Sequence, residues 1–160
     1  MLSTKLILEG IGQEIVDTLR NDIKTKSLVP GYPPPNASGK LADTLRYEAT
    51  EDSLKVYAQG YIYQLEYGRK PGRKPPLDAI KDWIKVKGII PKPNERGKAI
   101  SVNSLAFLIQ RKIGAKGTLI YQQGGSDLLA SVLNQNFISG VRDKLVFSLV
   151  NQIKSEIVPV

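Results

Sequence analysis

The 160-residue chain carries neither histidine nor cysteine. Ser-His and Cys-His nucleophiles, imidazole and thiolate metal ligands, disulfides and any ordinary titration near neutral pH are excluded together. The remaining chemistry falls to carboxylates and lysines. Asp78 and Asp82 stand four apart, so a helix places both on one side, where two acids can share a divalent cation. Lys81 and Lys85 surround them, which reads as a solvated surface pair. Glu66 has the more distinctive setting, alone among Tyr61, Ile62, Tyr63, Leu65 and Tyr67. It can be a buried ion-pair partner of Arg69 or of a neighbouring copy, an oriented cap, or a catalytic carboxylate. With no histidine and no second obvious carboxylate, the catalytic role is the weakest of the three. Phosphate-binding loops are missing too: Gly10 and Gly12 stand inside a helical pattern without the dinucleotide fingerprint, and Gly114 to Thr118 lacks the P-loop arrangement. The expectation is a protein with no catalytic residue, no metal site and no cofactor.

Positive charge is the other chemical resource. Between Arg69 and Lys116 lie thirteen Lys/Arg and three acids, a local +10 that leaves −2 for the rest of a chain of net charge +8. Its densest part is RKPGRKPP, where Arg69, Lys70, Arg73 and Lys74 alternate with Pro71, Gly72, Pro75 and Pro76. Those breakers rule out a continuous helix or central strand and imply a stiffened, exposed loop. Lys81, Lys85 and Lys87 extend the same basic surface. Such a loop is either kept soluble by its charge or contacts DNA phosphates or the acidic residues of a protein partner. No helix-turn-helix or zinc-finger spacing accompanies it, so DNA would be read by backbone charge and not by base. Trp83, the single tryptophan, fits a core position at this spacing or an interface anchor.

These residues need positioning elements. Leu6, Ile7, Ile11, Ile15, Leu19 and Ile23 form a helical stripe over Leu2 to Lys26. Pro30 to Gly39, PGYPPPNASG, is a polyproline-biased connector or arm that includes Tyr32. Leu45, Tyr47 and Ala49, then Leu54, Val56 and Ala58, alternate with polar residues around a turn at Glu51 to Ser53. That is a β-hairpin, which needs further packing to be stable. Tyr61 to Tyr67 is an apolar element ended by Gly68, a residue suited to positive φ. Leu77, Ile80, Trp83 and Ile84 mark a short helix stopped at Gly88. Ile89 to Lys98 is a polar connector. Ser101 or Ser104 caps a helix with Leu105, Leu108, Ile109 and Ile113 on its apolar side and Gly117 after it; Arg111, Lys112 and Lys116 suit its dipole. Gly124 and Gly125 form a hinge. Ser126 then caps a long helix carrying Leu129, Val132, Leu133, Phe137, Val141, Leu145, Leu149 and Ile153, with Gly140 as the place for a kink or split.

The hydrophobic share of 41% and charged share of 24% are ordinary for a globular domain and argue against disorder throughout. The expected fold is therefore α+β: long N- and C-terminal helices packed on a small antiparallel β-sheet, with an inserted helical basic region. One domain is expected over 1–160, with a helix-plus-hairpin portion at 1–68, the basic region at 69–118 and the C-terminal helix at 119–160. No basic leader or run of ~20 apolar residues is present, so a soluble, unsecreted protein away from membranes is expected.

Gly39 to Leu41, the hairpin flanking Glu51 to Ser53, Glu66 to Gly68 and the helix after Ser126 together resemble the small neck or tail-completion proteins of tailed bacteriophages, the HK97 gp10-like group. There a helix leads through a Gly-x-Leu segment and a hairpin into a Tyr-rich Glu-aromatic-Gly turn, and a late helix closes the fold. The resemblance covers roughly the first 70 residues well and the remainder loosely, and its motifs are short. From about Pro75 to Thr118 this chain is longer and more basic than the family pattern. The resemblance implies a virion neck protein between capsid and tail, in the host cytoplasm during assembly. It implies a homo-oligomeric ring of six or twelve copies between portal or adaptor and tail-tube or tail-terminator proteins, around the DNA channel. Subunit contacts would come from the hairpin, the proline loop and the basic loop, and Glu66, Gly68, Trp83, Tyr32, Gly39 and Leu41 would serve structure or interface. A different class fits the same charge: a basic, non-sequence-specific DNA-binding module of mobile-element origin. A third, a small metal-dependent hydrolase or nuclease, would have to work through Asp78 and Asp82.

Overall fold

Ser3 begins the ordered path: its hydroxyl accepts from the Leu6 N–H and caps helix α1, Thr4–Thr25. The computed structural model describes residues 3–35 and 38–157. Leu2, the expected helix start, and Asn36 and Ala37 of the proline-rich connector lie outside them. After α1 follow α2 (Lys40–Thr44), β1 (Arg46–Ala49), β2 (Leu54–Tyr57), α3 (Ile62–Glu66), α4 (Leu77–Val86), α5 (Val102–Lys116), α6 (Leu119–Gln122), α7 (Leu128–Val132) and α8 (Gln135–Glu156). Helices with one small antiparallel sheet make the class α+β. No helix among the described residues is long and apolar enough to cross a membrane. The chain divides into two compact units, each made of non-contiguous stretches.

The first unit comprises Met1–Lys26, Lys40–Gln59 and Asp127–Val160. Helix α1 is its centre and touches α2, both strands, α7 and α8. Its buried stripe is Leu8, Ile11, Gly12, Ile15, Val16, Leu19 and Ile23. The expected stripe is thus corrected at its start: Leu6 is 51% exposed, and Leu8 takes the buried place one turn before Ile11 and Gly12. A Cβ on Gly12 would lie 2.5 Å from the Tyr47 ring and 2.8 Å from Leu54, so a glycine here lets the hairpin lie directly on the helix. The hairpin forms as expected, with Tyr47 opposite Val56 and Ala49 opposite Leu54. Its turn is organised by Thr50, whose N–H donates to the Ser53 carbonyl while its hydroxyl accepts from the Ser53 N–H. On the other side of the sheet Arg46 stacks over the Tyr57 ring at 4.2 Å, and both reach Glu48. Arg20 ties α1 to the chain entering the hairpin through the carbonyls of Ala42 and Leu45.

The C-terminal part departs from the expected single helix. Asp127, not Ser126, precedes α7, with φ of 55° and no side-chain cap. A second start follows at Asn134, whose side chain accepts from the Phe137 N–H and opens α8. The break therefore falls at Leu133–Asn134; Gly140 lies inside α8. Leu128 and Val132 are buried, yet Ser148 is the only fully buried residue of α8 among those described. Val141 and Leu145 are half-buried, whereas Ile138, Val146, Leu149, Val150 and Ile153 are exposed.

The second unit comprises Ser27–Gly39 and Gly60–Ser126. Its core joins Ile80 and Ile84 of α4 to Ala106 of α5, with Leu77, Ile89, Val102, Leu105 and Ile109 packed around them. Helix α4 ends as its glycine foretells. Gly88 takes φ of +62°, its N–H bonds the Lys85 carbonyl, and the Ile89 N–H reaches back to Ile84. Both terminal carbonyls are satisfied by a Schellman motif whose apolar partner is the Ile84–Ile89 contact. Ser101 caps α5 by accepting from Ser104 N–H. Two expected apolar positions are corrected: Trp83 is 41% exposed, outside the core, and Leu108 is 49% exposed because Ala106 occupies the centre of that contact. The Tyr61 to Tyr67 element is the single-turn helix α3, with Ile62, Leu65 and Glu66 buried.

Candidate nucleic-acid and subunit interface

The basic loop after α3 is pinned along its length. Gly68 has φ of +71°, and a Cβ there would collide with the Tyr121 backbone and the Thr118 hydroxyl. From Glu66 onward the chain runs against the C-terminal part of α5 and the turn beyond it. The Glu66 carbonyl accepts from Ser126 N–H at 2.8 Å, and Arg69 exchanges bonds with Thr118, donating to its hydroxyl and accepting from its N–H at 2.9 Å each. Gly72 N–H donates to the Gly114 carbonyl at 2.8 Å, and Gln110 donates to that of Pro75 at 2.9 Å. Partner numbers fall as loop numbers rise, so the two stretches run antiparallel, linked by side chains and turns in place of a strand ladder. Gly117, at φ of +77°, lets the Arg69 carbonyl approach; its added Cβ would lie 2.6 Å away. Prolines remove donors that a regular ladder would need; these contacts use the donors that remain.

This docking brings two basic segments together. Arg69, Lys70, Arg73 and Lys74 come from the loop, and Arg111, Lys112 and Lys116 from the last turns of α5. None of the seven is within ion-pair distance of a carboxylate among the described residues. The Lys74 stem passes over Gly114, where an added Cβ would lie 2.8 Å from its Cγ. Charge follows the division of the chain: the second unit holds thirteen Lys/Arg against four acids, +9, and the first holds ten against eleven, −1. The helix dipole explains cations at the end of α5; it does not explain four more brought beside them from a loop up to 49 residues away.

The remaining positions are distributed more widely. Lys81 is half-buried and pairs with Asp78 at 3.1 Å, Lys85 is exposed, and Lys87 donates to the Pro34 carbonyl at 2.9 Å, holding the proline-rich connector. Lys81 and Lys87 therefore serve local contacts. Asp78 and Asp82 gain no third ligand: among the described residues no group of three acids gathers. Glu66 is 6% exposed. Trp83 shares the exposed side of its helix with Val86, and Ile90 follows. Tyr32 is exposed in the connector, its N–H on the Val29 carbonyl. Gly39 turns at φ of +78° immediately before α2, where Leu41 is buried.

Beside Gly68 opens a cleft of about 610 Å³, lined by Tyr67 and Tyr121 together with Arg69 and Lys70. Sequence reasoning took Tyr67 only as the aromatic of the Glu66 to Gly68 turn and gave Tyr121 no role, and it counted Arg111, Lys112 and Lys116 in the basic region while explaining their positions by the helix dipole. The available signal was the pair of glycines, Gly68 and Gly117, each followed by a residue that bonds the other's segment.

No protein-family model matches the chain, and no curated protein or solved structure matches it either.

Proposed function

We propose that the chain is a non-enzymatic structural protein that works as an assembled subunit, and that the assembly is the neck or tail-completion ring of a tailed phage. Identical copies contact head to tail and close by rotation, between portal or adaptor and tail, with the genome passing through. The long terminal helices on the small sheet form the scaffold, and the basic helical region is its insertion. The observation that supports assembly is the uncovered side of α8. Val146, Leu149, Val150 and Ile153 are each 41 to 56% exposed and fall within about a third of the helix circumference, while Ile138 lies beyond Arg142 on the same side. A solvated helix carries polar residues there; a contiguous apolar side is a contact surface, and this reading assigns it to a second copy. The resemblance over Gly39 to Leu41, the hairpin and Glu66 to Gly68 supports the phage setting.

A second reading rests on the seven cations without carboxylate partners: a DNA-binding module that recognises phosphate backbone. Light scattering at moderate salt, with and without double-stranded DNA, separates the two. A ring-sized species, or a monomer that oligomerises only with a portal or tail partner, supports the neck. A stable monomer or dimer that ignores such partners and binds DNA with affinity falling steeply with salt supports the module.

A further inference from the structure

We propose that the cleft beside Gly68 binds one nucleotide of a single-stranded nucleic acid, its base against Tyr67 and Tyr121 and its flanking phosphates against Arg69 and Lys70. Three observations converge. Tyr67, which ends α3 beside the buried Leu65 and Glu66, is 62% exposed, and Tyr121 of α6 is 44% exposed, so two aromatic side chains stand open to water at one cleft. About 610 Å³ lies within the range of ordinary small-ligand pockets and accommodates a base with its sugar. Arg69 and Lys70 of the cleft lining belong to the basic loop, which continues through Arg73 to Lys74 over Gly114 of α5. Aromatic faces beside a basic track are the elements that bind single strands, because every base offers a π-face and every linkage a charge. Duplex DNA buries its base faces in the stack and presents only phosphates to such a site.

The site is held open in advance. Gly68 lies against the Tyr121 backbone and the Thr118 hydroxyl, and the Arg69–Thr118 bonds hold the loop to that turn. The inference rests on the reading that this strip meets nucleic acid and adds which form it takes.

Fluorescence anisotropy of the full chain with a labelled oligothymidylate, and with a duplex of equal length, tests it. Oligothymidylate is expected to bind about tenfold more tightly than the duplex. Tyr67→Ala and Tyr121→Ala each weaken that binding about tenfold, leave duplex binding within about twofold, and are rescued by Tyr67→Phe and Tyr121→Phe. Tyr63→Ala, exposed outside the cleft, changes neither. Equal affinity for both forms, or equal loss of both in the alanine variants, overturns the stacking site and leaves the basic strip as a phosphate surface. Absence of binding to either form overturns both readings.

Discussion

A methyl group on residue 68 would meet the Tyr121 backbone and the Thr118 hydroxyl, and φ there is +71°. Gly68→Ala therefore carries conformational strain and a backbone collision together, and neither neighbour can swing away as a flexible side chain does. A loss of about 2 kcal/mol or more is expected, measured as a lower midpoint in urea with unchanged slope. Glu48 allows a prediction of sign. The Tyr57 hydroxyl, and after it Arg46, hold its carboxyl below the ordinary 4.5, while the same bond is the main cause pushing the Tyr57 hydroxyl above 10.0. The lowered carboxyl stabilises above the unfolded glutamate pKa and loses that contribution as pH falls through its folded value. The raised phenol stabilises below the ordinary tyrosine pKa and loses its contribution as pH rises through the folded one. The contact is thus at full strength across neutral pH and weakens at both ends. By NMR, Glu48 should titrate at higher pH in Tyr57→Phe than in the parent; identical midpoints would remove the bond's role. Arg46, Glu48 and Tyr57 were legible as one side of a hairpin, because alternation puts them there. Their mutual contact was not, because register follows from pairing.

Helix α1 shows what periodicity reports and what it omits. Two glycines sit in it two positions apart, and the sequence pattern treats them alike. Nothing lies within 4 Å of a Cβ on Gly10, whereas one on Gly12 would enter the Tyr47 ring. Gly10→Ala should stabilise by about 0.5–1 kcal/mol through helix propensity. Gly12→Val should destabilise by about 1–3 kcal/mol through overpacking that propensity cannot offset. Opposite shifts in melting temperature would check both; a shared sign would mean that the hairpin does not rest on α1 at Gly12. The start of the C-terminal helix illustrates the reverse problem. Ser126 is a good cap by type, but its N–H on the Glu66 carbonyl holds it in the preceding turn, and the helices start after Asp127, at φ of 55°, and again after Asn134. Propensity names suitable caps; the path the chain takes through its tertiary contacts settles which is used.

At the scale of the molecule the apolar side of α8 decides most. If a second copy covers it, Leu149→Glu with Ile153→Glu places two charges in a contact and should shift the mass by light scattering to the monomer. Folding should survive, since both side chains are already more than half exposed. A mass unchanged from the parent at equal concentration would show that assembly uses another surface. The buried stripe of α1 from Ile11 to Ile23, the helix at Ile80 and Ile84, the hairpin with its turn, the stops at Gly88 and Gly117 and the cationic character of Arg69 to Lys116 were determined by the sequence alone. Each depends on residues within a turn or two of one another, where side-chain period and backbone preference act directly. Only the tertiary structure decided that α8 leaves an apolar side uncovered, that Trp83 lies outside the core, and that two basic segments join beside a tyrosine-lined cleft. Those outcomes depend on hydrogen bonds and contacts between residues tens of positions apart, which no local spacing encodes.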